Sequence, residues 1–172
     1  MGSNGSGDGQ FYDLVGIDID SLDNVYVADQ ENNRIQKFDS NGNFITKWGS
    51  GGSGDGQFVW PYLIGIDSQD NVYVVDYSDD SAENPRIQKF DNNGNFIAKW
   101  GNEGQFLNPD DIAIDSTDNV YIVVSWNDSI EKFDSNGNFI AKWGSEGSED
   151  GQFSYPSGIA IDSKDNAYIV DS

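Results

Sequence analysis

The 172-residue chain has no cysteine and no histidine, a single methionine, four prolines and only nine lysines and arginines. Each scarcity removes a class of chemistry. Without histidine there is no imidazole base, no Ser-His-Asp triad and no histidine-ligated zinc. Without cysteine there is no disulfide framework, no thiolate nucleophile and no pointer to a redox compartment. The nine basic residues stand against 30 acidic ones, a formal charge of −21. Phosphate backbones and anionic lipid surfaces repel such a chain, which argues against nucleic acid and membrane as partners. Long apolar runs are missing too. The longest, Val120 to Val124, is far short of a membrane span. The first ten residues are polar and glycine-rich, without the pattern of a signal peptide. Neither an exported nor a cytoplasmic location is favoured.

Leucine and alanine are also scarce, 11 together against 27 isoleucines and valines. That balance favours pleated strands over helices. Leu, Ile, Val and Phe make up 41 of 172 residues, above the floor of roughly 20% below which disorder is expected. The composition predicts a folded, all-β chain.

A fixed-period search shows how it is organised. Gly-Gln-Phe occurs four times, ending at Phe11, Phe58, Phe106 and Phe153. Each occurrence is followed by an Ile-x-Ile-Asp phrase, at Ile17 to Asp20, Ile64 to Asp67, Ile112 to Asp115 and Ile159 to Asp162. An Asp-Asn-x-Tyr phrase comes next, centred on Tyr26, Tyr73, Tyr121 and Tyr168. Two further phrases occur three times: Ile35 to Phe38 with Phe44 to Trp48, Ile87 to Phe90 with Phe96 to Trp100, and Ile130 to Phe133 with Phe139 to Trp143. Each full repeat reads as four short strands, here a to d. Asn-Gly between c and d, as at Asn41-Gly42, is a strong hairpin signal, because both residues tolerate positive φ. A four-stranded unit of this length is the signature of a β-propeller blade, which cannot bury both its faces alone.

Written together, Gly-Gln-Phe, Gly-Ile-x-Ile-Asp, Asp-Asn-Val-Tyr-Val, Arg-Ile-Gln-Lys-Phe-Asp and Gly-Asn-Phe-Ile-x-Lys-Trp-Gly resemble the NHL repeat over essentially the whole chain after residue 8. The resemblance implies propeller blades that serve largely as recognition platforms. The expected division is a flexible Gly/Ser-rich lead at 1–7, blades at 8–54, 55–102 and 103–149, and the inner half of a fourth at 150–172, all in one propeller domain. Such an arc is either a segment of a longer propeller or a piece that closes a ring by homo-oligomerisation.

In this topology the d–a and b–c loops share one rim, where a propeller binds. That rim carries Trp60, Tyr62, Tyr77, Asp79, Asp80, Asp110, Asp111 and Trp126, an acidic and aromatic set suited to a protein, peptide or glycan. Asp29 with Arg34 and Asp76 with Arg86 occupy matching places in the first two repeats, while the third has Val124 and Ser129 there. Acid and base present together, or absent together, predict a cross-strand structural pair. No cofactor is expected. Calcium is the one metal to weigh. Asp39 to Asn43 opens like a calcium loop, but Phe44 stands where glycine belongs and Ser50 where a bidentate glutamate belongs. Asp18, on an inner strand where the other repeats carry Gly65, Ala113 and Ala160, is a weak candidate channel ligand. The reading is a non-catalytic recognition or scaffold module. The alternatives are a calcium-dependent, lactonase-like hydrolase with carboxylates at the channel mouth, and a purely structural or designed blade set without a ligand.

Overall fold

The computed structural model describes residues 2–77, 85–101 and 106–172. Two short parallel strands, β1 (Ser3–Asn4) and β2 (Gln10–Phe11), open the chain. Three antiparallel four-stranded sheets follow. The first is β3 (Leu14–Ile19), β4 (Val25–Asp29), β5 (Arg34–Phe38) and β6 (Phe44–Trp48). The second is β7 (Trp60–Ile66), β8 (Val72–Tyr77), β9 (Pro85–Phe90) and β10 (Phe96–Trp100), and the third β11 (Pro109–Ile114), β12 (Val120–Val124), β13 (Ser129–Phe133) and β14 (Phe139–Trp143). A two-stranded sheet, β15 (Gly158–Ile161) and β16 (Ala167–Val170), ends it. In every sheet the strands lie side by side in chain order. These are the a to d strands of propeller blades.

Strand alternation explains why the blades stack. Along β8, Val72 and Val74 point to the preceding blade, where they meet Tyr26, Ala28 and Ile35. Tyr73 and Val75 point the other way, onto Ile112, Val120 and Ile122. Tyr121, Val123 and Ile130 meet Ile159 at the next junction. The core is thus a row of apolar layers between blades. A strand buried on both sides reads as near-continuous hydrophobics, as Val120 to Val124 does. The outer strands β6 and β10 alternate half-buried and exposed residues, as expected of the layer nearest solvent.

Each a–b turn is fixed by one carboxylate. Asp20 accepts N–H bonds from Leu22 and Asn24 on one oxygen, and Asn24 Nδ2 and the Tyr26 hydroxyl on the other. Asp67, Asp115 and Asp162 repeat the arrangement. In three blades a lysine lies at the same carboxylate and over the tyrosine ring: Lys37, Lys89 and Lys132, at 4.7, 4.7 and 4.6 Å from the centroids.

One expectation needs correction. The c–d hairpins do not place both Asn and Gly at positive φ. Only the glycine, Gly42 at 80°, Gly94 at 85° and Gly137 at 84°, takes that conformation. Asp39 closes the loop instead, accepting the N–H groups of Asn41 and Asn43. The N-terminal residues 2–11 match residues 49–58 in sequence, and Arg34 donates to the carbonyls of Ser6, Gly7 and Gln10.

Candidate binding rim

The d–a and b–c connections meet along one edge of the blades. Two b–c connections are single 3-10 turns, Gln30–Asn32 and Ser125–Asn127, each closed by a left-handed residue, Asn33 (φ 51°) and Asp128 (φ 45°). The turn points its central side chain outward: Trp126 is 66% exposed.

The rim residues named from sequence fall into two patches. On blade 2, Trp60 pairs across the sheet with Tyr77. Their rings meet edge to face at 6.3 Å, and the Tyr62 ring lies 6.4 Å from that of Tyr77. Burial pushes the Tyr77 phenol up, helped by the nearby Tyr62 and the Asp110 carboxylate of blade 3. These three rings and Asp110 form one acidic, aromatic surface. Asp79 and Asp80 lie outside the described residues.

The second patch surrounds Trp126. Between blade 3 and β15–β16 it lines an open cleft of about 390 Å³ with Asp128, Glu146, Ser154 and Tyr155. Tyr155, 66% exposed, has φ 54°, and its N–H is held at 2.8 Å by Asp128 Oδ1. Sequence reasoning named Trp126 here and missed the other four. A signal existed for Tyr155, which precedes Pro156 as Trp60 precedes Pro61. An open cleft with two aromatic side chains and two carboxylates can take a cation over a ring face while a carboxylate neutralises it.

Other carboxylates named from sequence are occupied by backbone. Asp111 accepts the N–H of Ile112 and, across the junction, that of Ile159. Asp18 accepts the N–H of Ile19 and, across the first junction, that of Ile66, both at 2.8 Å. Burial raises the Asp18 carboxyl above its ordinary range, and those two N–H groups oppose the shift. Innermost edge strands leave N–H groups unpaired, and a carboxylate from the preceding blade is a local answer. Asp39, the first residue of the calcium-like loop, gives its oxygens to Asn41 and Asn43. Among the described residues no group of three or more acidic side chains is placed to hold a metal ion.

Beneath the rim, Asp29 and Arg34 are 2.7 Å apart and buried. Asp29 also holds the Tyr12 N–H, Asn32 and Gln36. Asp76 and Arg86 are 2.9 Å apart. Asp76 takes the N–H groups of Val59 and Trp60, and Arg86 donates to the carbonyls of Ser53 and Gln57. The two pairs fasten the glycine-rich d–a loops and so set the base of the rim. Asp171, the matching residue of the last sheet, takes the Ser154 N–H.

Comparison with known proteins bears on the fold. The NHL repeat family matches residues 11–38. Protein lin-41 of Caenorhabditis elegans is 51% identical over 47 residues, 27% of this chain and 4% of that protein. A catalytically inactive histidine variant of virginiamycin B lyase from Staphylococcus aureus, solved with quinupristin, superposes with a TM-score of 0.67 at 13% identity, over 92% of this chain and 48% of the lyase. A nidogen/laminin complex gives 0.65 at 18% identity, over 92% of this chain and 56% of that one. At these identities the solved structures speak for the fold, and the chain spans about half the length of each.

Proposed function

For this chain, built of NHL repeats folded as propeller blades, we propose the role of a non-catalytic recognition module that takes a protein partner by its cationic side chains along the loop rim. The observation that carries this reading is the cleft of Trp126, Tyr155, Asp128 and Glu146. Both rings are two-thirds exposed, on a chain of formal charge −21. A Lys or Arg side chain entering the cleft meets ring faces and carboxylates at once, and the surrounding field raises the encounter rate. The aromatic surface of Trp60, Tyr62 and Tyr77 on the neighbouring blade extends the contact along the same rim. The nidogen/laminin complex is a precedent for protein association by this fold.

Two features support recognition over catalysis. The lyase that superposes on this chain is described as inactive when one histidine is replaced, and this chain has no histidine. A calcium-dependent hydrolase needs free carboxylates at the channel mouth, whereas Asp18 and Asp111 each hold two backbone N–H groups.

The test is calorimetric titration with a lysine-rich decapeptide and, as control, a glutamate-rich one. The lysine-rich peptide binds, and binding weakens as salt rises. Trp126→Ala and Glu146→Gln, both at exposed positions, each weaken it several-fold with the melting temperature unchanged. Equal affinity for the two peptides, or full affinity in Trp126→Ala, overturns the assignment.

A further inference from the structure

Blade 2 departs from its neighbours at one corner of the rim. Its first strand begins one place earlier, at Trp60, where β3 and β11 begin at Leu14 and Pro109. Its second strand ends one place later, at Tyr77, where β4 and β12 end at Asp29 and Val124. In blades 1 and 3 the residues matching Tyr77 are Gln30 and Ser125, which turn away into the 3-10 turns. Those matching Trp60 are Asp13 and Asn108, in left-handed geometry at φ 57° and 55°. Trp60 instead stays in the sheet and pairs directly with Tyr77. Its N–H and that of Val59 are held by the buried Asp76, at 3.0 and 2.9 Å. The extra length of strand is thus fastened from below.

A β-bulge supplies the third ring. The pairing passes from Pro61 to Leu63 opposite Asp76 and Val75, so Tyr62 is the extra residue of its strand. Bulges re-aim a side chain, and Tyr62 reaches the same tyrosine as Trp60 does. The matching bulge residue of blade 3 is Asp110, whose carboxylate is near enough to disfavour the Tyr77 phenolate. The Trp60 and Tyr77 rings stand nearly perpendicular, at 85°, and the Tyr62 ring is inclined at 44° to that of Tyr77. Trp60 is 37% exposed and both tyrosines are half-buried, so the rings line the surface rather than fill a core. The three matching positions hold Asp13, Val15 and Gln30 in blade 1, and Asn108, Asp110 and Ser125 in blade 3. Three aromatic side chains therefore come together in one blade at positions where the other blades stack without any.

From this geometry we propose that the corner of Trp60, Tyr62, Tyr77 and Asp110 takes a quaternary ammonium group, the trimethylated lysine side chain of a protein partner. The inference deepens the rim reading and rests on it for the partner's being a protein. All four residues belong to the complete blades 2 and 3, away from either end of the stack. The choice of ligand follows from what the walls can do. Ring faces attract a cation through their quadrupoles. They offer no acceptors for the three N–H donors of an unmodified lysine, which loses hydrating water there without replacement. Trimethylation removes those donors and puts methyl groups against the rings, so the charge is kept while the desolvation cost falls. Asp110 balances that charge from the side of blade 3, on a chain whose formal charge of −21 already draws cations.

The test is calorimetric titration of the 172-residue chain with a Gly/Ser decapeptide carrying one trimethyllysine. Beside it run the same peptide with unmodified lysine and with the neutral isostere, in which carbon replaces the quaternary nitrogen. The trimethyllysine peptide binds about fivefold more tightly than either. Choline, which carries the same group without a peptide, binds more weakly. Tyr62→Leu, which keeps an apolar side chain and loses the ring, weakens binding of the trimethyllysine peptide about fivefold with the melting temperature unchanged. Trp60→Ala and Asp110→Asn act in the same direction. Equal affinity for the three peptides, or full affinity in Tyr62→Leu, overturns the proposal. Choline binding as tightly as the peptide does so too, since the site would then serve a free quaternary ammonium solute. The two rim readings fail separately. A lysine-rich peptide that binds while trimethylation of its lysines adds nothing leaves the first reading standing and refutes this one. A trimethyllysine peptide that needs Tyr62, on a chain indifferent to the lysine-rich peptide, supports this one against the first.

Discussion

In blade 2 the loop from Trp48 to Phe58 is long and glycine-rich, and Arg86 grips its carbonyls at Ser53 and Gln57 while Asp76 holds the amides that follow it. In blade 3 the corresponding connection, from Trp100 to Phe106, is four residues shorter, and the gripping positions are Val124 and Ser129. The apolar layers of the two blades are equally well buried: Val72 and Val74 in one, Val120 and Ile122 in the other, all at 0% exposure. The difference shows that the Asp–Arg pair is not needed to stack a blade. It belongs to the long loop, whose backbone groups must be satisfied where they pass over the sheet. Blade 1 agrees, with a long preceding segment and Arg34 on the carbonyls of Ser6, Gly7 and Gln10.

The largest effect comes from breaking one partner only. Arg86→Ala leaves Asp76, wholly buried, without its counter-charge. It is expected to cost about 3–5 kcal/mol, read from denaturant unfolding, with Arg34→Ala close behind. A loss under about 1 kcal/mol would mean that water replaces the guanidinium and that the latch is not dry. The sharper experiment converts blade 2 to the blade 3 pattern. The double variant Asp76→Val with Arg86→Ser removes both charges, so no ion is stranded, although the loop carbonyls lose their donor. It should cost less than Arg86→Ala alone, about 1–3 kcal/mol, with faster amide exchange confined to residues 50–60. A double variant worse than the single would contradict the assignment of the pair to the loop.

The fold was legible because the repeat carries it. Isoleucine, valine and tyrosine recur at fixed offsets, and each offset places a side chain on a known face of a strand buried on both sides. The Asp–Arg pairing was legible for a related reason: the third repeat lacks both members. What stayed hidden depended on contacts across junctions. Asp18 and Asp111 read as free rim or channel carboxylates, yet each reaches a backbone N–H 48 residues away, and no local pattern reveals that distance. The rim residues were chosen by type, which could not show that Trp60, Tyr62 and Tyr77 cluster on one blade while Trp126 lines a separate cleft with Tyr155. The lead at 1–7 read as flexible from its glycines. Its match to residues 49–58 was there to read as well, and Arg34 bonds to its carbonyls as Arg86 does to those of the later segment.

A smaller effect, common to all blades, follows from the turn carboxylates. Burial alone would raise Asp20, but the Asn24 side chain and amide, then Lys37 and the Tyr26 hydroxyl, hold it at about 2. Asp67 and Asp115 are lowered by the same arrangement, again against burial. A carboxyl whose folded value lies below its unfolded one stabilises the protein fully above the unfolded value, near 4, and loses that contribution as pH falls toward 2. Melting temperature should therefore drop between pH 4 and 2. Asn24→Ala, which removes one donor, should shrink the drop. A variant with an unchanged slope would place the acid sensitivity elsewhere.

The smallest effect tests the comparison from the blade 3 side. Ser129 stands where Arg34 and Arg86 stand in the other blades, and its hydroxyl is buried without a partner among the described residues. A buried donor left unpaired carries a desolvation cost of roughly 1–3 kcal/mol. Removing the hydroxyl removes that cost and leaves only a small void. Ser129→Ala should thus be neutral or stabilising by up to about 1 kcal/mol, whereas Arg86→Ala at the matching position is strongly destabilising. If Ser129→Ala instead costs more than about 1 kcal/mol, the hydroxyl is paired in the folded chain and position 129 contributes to blade 3 as a hydrogen-bond donor.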